Sequence, residues 1–390
     1  MTTRSLSGRV SSIEISPIGK LIDMVDQIPD VIRLHTGEPD FDTPVHIKEA
    51  AKKALDEGYT HYTHSAGLPE LREAIAEKLL KENNIKADFE TEITVTAGGF
   101  AAIYSTLQAV IDPGDEVIIP EPAWPSYREL VKLAGGKPVP LSLKALNYSL
   151  NLDLLKERIT EHTKMVMINT PNNPTGAVYS RQELTALAAL AKKYDFLVLA
   201  DEVYEKMTFD DARHFSIASV AGMKQRTVTV NSFSKTYAMT GWRVGYVVTN
   251  ERITAGIRQV HSYTVSCVSP VFQRAALTAL TTPQDCVQQM VKEYEERRDM
   301  AVEALNNLSG FQCSKPKGTF YLFPDIHEFG LSSAEFAERL LREAKVATIP
   351  GSAFGKSGEG HLRISLTVSR KTLTEAIKRI KRFLKTLTVT

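Results

Sequence analysis

An acidic side chain at the end of a buried apolar run is costly unless a cation or a hydrogen-bond donor meets it, and Asp201 directly follows FLVLA at 196–200. Tyr204 follows about one turn later; a helix cap or a structural hydrogen bond is the plainer use of such a carboxylate. A second run, TVTVN from 227, leads into Ser232, Phe233, Ser234 and Lys235, then through Thr236 to Thr240, Gly241, Trp242 and Arg243. Two hydroxyls, an amine and a guanidinium so close behind one strand end can surround a phosphorylated ligand, although a loop lysine is by default solvated. A third run ends at Asn169 and opens Thr170-Pro171-Asn172-Asn173-Pro174-Thr175-Gly176, where two prolines stiffen a turn whose amide side chains both donate and accept. Gly98, Gly99 and Phe100 stand between a fourth run and an apolar helix, where free backbone N–H groups can bind an anion. Taken singly, each of these is an ordinary turn or junction.

The elements that would position these groups are short apolar runs: EITVT at 92, EVIIP at 116, KMVMIN at 164, FLVLA at 196, TVTVN at 227 and WRVGYVVT at 242. They alternate with helix-like stretches bounded by Gly, Pro and Asn. One such helix opens on a capping box, Ser180 and Glu183, ahead of LTALAALA. Buried strands separated by amphipathic helices predict an α/β fold with a mostly parallel, doubly covered sheet, whose ligands sit beyond the C-terminal strand ends. The chemically suggestive residues stand at those ends. After about residue 283 the texture changes to long charged helices around short strand candidates near Gly318 to Phe323 and Leu362 to Leu366. The first 45 residues hold no βα unit and are expected to cross to that second part. The expected division is a large domain over 46–283 and a smaller α+β domain built from 1–45 and 284–390.

Composition narrows the classes of function. With 47 Lys+Arg against 46 Asp+Glu in 390 residues, a formal charge of +1, 43% hydrophobic and 24% charged residues, the composition is globular and its balanced charge gives no electrostatic reason to expect a nucleic-acid or membrane-surface partner. Cys267, Cys286 and Cys313 are too far apart for a Cys-x-x-Cys pair, and their odd number fits no disulfide framework. No signal peptide is legible at the N-terminus, and no segment approaches the ~20 apolar residues of a membrane span. A small-molecule enzyme of the cytoplasm is the reading that remains.

Five segments in order, GEPDFDTP (37–44), NTPNNPTG (169–176), DEVY (201–204), SFSKTYAMTGWRVG (232–245) and RIS (363–365), resemble those of the fold-type I pyridoxal-phosphate enzymes. Among these the chain is most similar to the class I aminotransferases of the aspartate and aromatic group, over nearly its whole length. The resemblance implies a seven-stranded sheet and pyridoxal 5'-phosphate as cofactor. By carry-over, Lys235 forms an imine with the cofactor aldehyde and shuttles the α-proton of the substrate. Asp201 pairs with the protonated pyridine nitrogen. Tyr204 and Asn173 hydrogen-bond the phenolic oxygen, and Trp124 stacks on the ring, a core aromatic being the alternative. Gly98, Gly99 and Phe100, with Ser232, Ser234 and Arg243, cup the phosphate. Arg363 receives the substrate α-carboxylate as a bidentate fork; Gly37 lets backbone approach it, and Trp124 and Asn173 flank the substrate. Tyr62 reaches the phosphate of a neighbouring subunit, which implies a homodimer with shared active sites; a surface tyrosine is the alternative. No metal is implied.

The activity so implied is transfer of the amino group of an L-amino acid to a 2-oxo acid such as 2-oxoglutarate, by a ping-pong mechanism. Phe100 stands where aspartate-selective relatives carry a lysine, so an aromatic or broad-range donor is expected, with aspartate as the alternative. A β-lyase on the same fold, releasing pyruvate and ammonia, is a second alternative. A regulator with an N-terminal DNA-binding module is not expected, since the motifs begin at residue 37. Gly351 to Ser357 looks like a nucleotide-binding loop, but three residues rather than four separate its glycines. His61 and His64 read as solvated rather than as a metal pair.

Overall fold

The computed structural model describes residues 6–14, 17–143 and 148–387. Its strands are β1 (Ile32–Arg33), β2 (Ile93–Thr96), β3 (Glu116–Glu121), β4 (Lys137–Ser142), β5 (Thr163–Asn169), β6 (Leu197–Asp201), β7 (Thr227–Ser232), β8 (Gly245–Val248), β9 (Tyr321–Leu322), β10 (Val346–Ala347), β11 (Ile349–Pro350) and β12 (Leu362–Ser365). Seven of them form one sheet in the order β2-β8-β7-β6-β5-β3-β4, in which β8 runs antiparallel to both neighbours and the other pairs are parallel.

Successive strand residues face opposite layers, so a strand apolar at every position must be covered twice. Ile118, Val166 and Val198 pack against Leu184 and Leu187 of the helix Arg181–Tyr194. Val117, Ile119, Met165 and Leu199 pack the other way, against Ile103 and Leu107 of the helix Gly98–Val110 and Ile257 of the helix Glu251–Thr264. Burial of each such side chain contributes about 1.5–3 kcal/mol. Ser180 and Glu183 form the expected capping box.

Two strands of the seven-stranded sheet depart from the sequence reading. β4, KPVPLS, was not among the expected runs. As an edge strand bonded to β3 alone, it needs N–H donors on one side only, which is where Pro138 and Pro140 are tolerated. β8 begins at Gly245 rather than Trp242, because Arg243 adopts a left-handed φ of 53° that ends any extended run. Gly245 lies opposite both Thr96 and Ser232, and a Cβ there would stand 2.7 Å from the backbone of Gly98 and Gly99.

The C-terminal part forms an antiparallel sheet, β11-β12-β9, with the helices Asp285–Asn306, Ser333–Ala344 and Arg370–Leu387. The N-terminal segment joins it: β1 pairs in parallel with β10, and Leu21 and Val25 of the helix Pro17–Asp26 pack against Phe323, Ile349 and Phe354. The loop that resembles a nucleotide-binding motif is two 3₁₀ turns, Gly351–Phe354 and Lys356–Gly358, hinged at Gly355 with φ 107°. Its anion is internal. The Glu121 carboxylate at the end of β3 accepts from the amides of Lys356 and Ser357 and lies directly against Gly355, where a Cβ would collide with it. Burial pushes the Glu121 carboxyl up from its ordinary range, partly offset by Arg128 at 3.5 Å.

Candidate active site

β4 and β5 both follow β3 in sequence yet flank it on opposite sides, so the strand order reverses at β3. Open α/β sheets bind ligands at such a reversal. The carboxyl ends of β2, β3, β5, β6 and β7 open there into a cavity of about 370 Å³. Gly99, Phe100, Trp124, Asn173, Asp201, Tyr204, Ser232, Ser234, Lys235 and Arg243 line it from the sheet side, and Gly37 and Arg363 from the N- and C-terminal parts. Gly98 and Tyr62 do not line it. Gly98, at φ 80°, is crossed by the Arg243 guanidinium, which a Cβ would meet at 2.8 Å. Tyr62 is 88% exposed.

Asp201 is buried at the end of β6, and its partners are neutral. Oδ2 accepts from the Tyr127 hydroxyl at 2.5 Å and Oδ1 from the amide of Val203 at 3.2 Å. Burial raises the Asp201 carboxyl to about 6, against the opposing pull of Tyr127. Lys235 lies one turn past β7, in the short helix Phe233–Thr236. Its ammonium donates to the carbonyl of Gly37, which ties the loop of residue 37 to the sheet. Burial, with Arg363 nearby, lowers the Lys235 amine to about 8.

Arg363 comes from β12 and is buried. Nη1 donates to Asn173 Oδ1 at 3.1 Å and Nη2 to the carbonyl of His35 at 2.6 Å, while buried Nε has no hydrogen-bond partner. The guanidinium stands 4.4 Å from the centroid of the Tyr321 ring, and the Tyr321 hydroxyl meets that of Tyr204 at 3.0 Å. Burial and the Arg33 and Arg363 cations push the His35 imidazole down to about 4, so it adds no charge. At the opposite end, Ser232 Oγ caps the amide of Ser234 and meets its hydroxyl at 2.9 Å, and Arg243 Nη1 donates to the carbonyl of Thr240. Phe100 and Trp124 meet edge to face at 5.2 Å, and Trp124 meets Tyr127 the same way at 5.4 Å.

Tyr127, Tyr321, His35, Ile18 and Ile22 line the cavity without having been singled out in sequence. Tyr127 stands three residues after Trp124 in one segment, and Tyr321 lies inside a recognised strand candidate; those were the available signals. Ile18 and Ile22 belong to the helix Pro17–Asp26, whose return to the cavity is a tertiary event.

The residues present fit pyridoxal phosphate. A buried carboxylate met only by neutral donors suits a pyridinium, a depressed lysine suits an aldehyde, and a helix N-terminus beside two serines and an arginine suits a phosphate. This fold with this donor set defines a fold-type I pyridoxal-phosphate enzyme. Residues 29–380 match the family described as aminotransferase class I and II. An aspartate aminotransferase of Pyrococcus abyssi is 48% identical over 98% of both chains, and an aromatic-amino-acid aminotransferase of Thermococcus litoralis is 45% identical, also over 98% of each. The crystal structure of an aromatic aminotransferase from Pyrococcus horikoshii superposes with a TM-score of 0.91 at 48% identity, covering 95% of this chain and all of that one. The chain belongs to the class I and II aminotransferases, and it is a pyridoxal-phosphate-dependent aminotransferase.

Proposed function

We propose that this enzyme takes the amino group of an aromatic or broad range of L-amino acids and passes it to 2-oxoglutarate by a ping-pong mechanism. One observation carries the donor preference. Among the described residues lining the cavity, the cations are Lys235, Arg243 and Arg363, and each already has a task. Phe100, Ile18, Ile22 and Ile103 line the remaining wall, where an apolar side chain gains about 1.5–3 kcal/mol on burial and an unpaired carboxylate is penalised.

In this reading Lys235 holds the cofactor covalently, Asp201 holds its ring nitrogen, and Tyr204 and Asn173 its phenolic oxygen. The amides from Gly98 to Phe100, with Ser232, Ser234 and Arg243, hold the phosphate, and Trp124 covers the ring. The bound cofactor supplies an electron sink for the pair left behind when the α-proton departs. Arg363 grips the α-carboxylate with the face its fork now offers to Asn173 and His35, which fixes the α-carbon near Lys235. The Lys235 amine, brought near 8 by burial, is free base often enough near neutrality to take that proton and return it. Tyr127 keeps Asp201 anionic, and Tyr321 supports Arg363 from below.

The enzyme is read as a homodimer in which Tyr62 serves the neighbour's phosphate; its exposure away from its own cavity supports this. A cytoplasmic setting is supported by three free cysteines. The pairing of β1 with β10 supports the division into 46–283 and 1–45 with 284–390. Aspartate as donor is the second reading, favoured by the name of the Pyrococcus abyssi relative. The test is kcat/KM for phenylalanine, tyrosine, kynurenine, alanine and aspartate at fixed 2-oxoglutarate. Aspartate ahead of the aromatic donors by about tenfold, worth roughly 1.4 kcal/mol, establishes the second reading instead.

A further inference from the structure

A second, polar cavity of about 550 Å³ shares no lining residue with the active site; Tyr148, Glu183, Asp325 and His361 stand in its wall. Asp325 and His361 form an antiparallel bridge, flanked by Ile326 N–H to Gly360 O at 2.8 Å and Leu362 N–H to Pro324 O at 3.1 Å. Opposed residues of such a bridge present their side chains on the same face. His327 opens the 3₁₀ turn His327–Phe329, and its Nδ1 lies 2.7 Å from Asp325 Oδ1, while Ile326 between them is fully buried. The His327 imidazole lies across Gly360, at φ 81°, in space that a Cβ would fill.

One ring nitrogen from each imidazole and a carboxylate oxygen of Asp325 lie within 4.8 Å of one another. His361 Nδ1 lies 3.3 Å from the carbonyl of Glu359, which can only accept, so Nδ1 carries a proton and the neutral form of the ring has its lone pair on Nε2. Nε2 receives the Tyr148 hydroxyl at 2.8 Å and stands 3.8 Å from Asp325 Oδ2. A lone pair and a carboxylate at that spacing bracket a cation with bonds of about 2.0–2.2 Å. A backbone carbonyl on the other ring nitrogen is also what orients a metal-binding imidazole. We propose that Asp325, His327 and His361 bind a late first-row divalent ion such as zinc, displacing the Tyr148 hydroxyl, with water from the cavity completing the coordination. Two nitrogen donors select against magnesium and calcium. The other such cluster among the described residues, Glu202, Glu205 and His214, already has a cation against it, the Lys78 ammonium bonded to Glu205.

The ion's place is structural. His361 stands two residues before Arg363, so a metal there fastens the carboxylate-binding strand to the turn at 325–327. The test uses untagged holoenzyme, cobalt(II) followed by its visible ligand-field bands, and zinc followed by equilibrium dialysis and thermal unfolding. About one ion per chain should bind, zinc should raise the wild-type Tm, and His327→Ala and Asp325→Asn should each weaken affinity by about tenfold or more. Both side chains are partly exposed, and unchanged Tm of the variants in chelator checks that the fold survives. No uptake by the wild-type chain, or uptake with the same affinity in both variants, overturns the site.

Discussion

Asp201→Asn should gain stability relative to wild type as pH rises in the cofactor-free protein, while disabling the enzyme. Burial moves the Asp201 carboxyl from 3.8 up to about 6. A carboxyl raised in the folded state favours folding while protonated, and that advantage is lost as pH rises through the folded value. Two pH units at about 1.36 kcal/mol each give a penalty of about 3 kcal/mol, absent below about pH 4, growing to about pH 6 and complete above it. Asparagine has no charge to bury, and its single oxygen can accept only one of the bonds from Tyr127 and Val203, a cost that does not vary with pH, so between about pH 4 and pH 7.5 the variant should gain up to ~3 kcal/mol relative to wild type. The assay is urea unfolding of both proteins after removal of pyridoxal phosphate, at matched protein concentration, across this pH range. With cofactor bound, the ranking should reverse in function: the amide cannot hold a ring nitrogen protonated, and kcat should fall by orders of magnitude. A stability difference that does not change with pH refutes the argument that an unneutralised charge sits there.

The depressed Lys235 amine should set the pH dependence of cofactor capture: uptake of pyridoxal phosphate by the apoenzyme should rise with pH about a midpoint near 8, and a midpoint at the ordinary lysine value of 10.5 refutes it. Borohydride reduction of the loaded enzyme should leave the pyridoxyl group on Lys235 in peptide mapping. Mixing Lys235→Ala with Tyr62→Phe subunits should restore activity in heterodimers that assemble one intact site; no recovery despite proven exchange places Tyr62 in its own chain's site or in none. Phe100→Lys should raise the aspartate-to-phenylalanine ratio of kcat/KM by about tenfold, worth about 1.4 kcal/mol, and an unchanged ratio separates Phe100 from donor choice.

The parts of the site that could be read from sequence share a physical cause. β5, β6 and β7 are covered on both faces, so β5 and β6 are near-continuous apolar runs and β7 a β-branched run of Thr and Val, and the polar residues that end them stand out against it. Asn169, Asp201 and Ser232 were visible for that reason. Tyr127 was not, because a tyrosine on an amphipathic helix looks like packing until its hydroxyl is seen on Asp201. Tyr321 was hidden in the same way beneath Arg363. Edge strand β4 carries prolines that interrupt the signature of a buried strand, and the left-handed turn at Arg243 shortens β8 in a way no periodicity records. Ile18 and Ile22 reach the cavity through a chain reversal across the second part of the molecule, a long-range contact that local pattern does not encode.

The loop from Gly351 to Ser357 carries a consequence for how this sequence can vary. Its amides already hold the Glu121 carboxylate, and Gly355 is fixed twice, by a φ of 107° that other residues rarely adopt and by the carboxylate that occupies the space a side chain would take. Neither position can change alone without loss: a side chain at residue 355 collides with Glu121, and a shortened residue 121 abandons two amides that then have no acceptor. The two stand some 230 residues apart in the chain, and shortening residue 121 does not free residue 355, whose φ of 107° still calls for glycine. Glycine at 355 should therefore persist even where residue 121 varies.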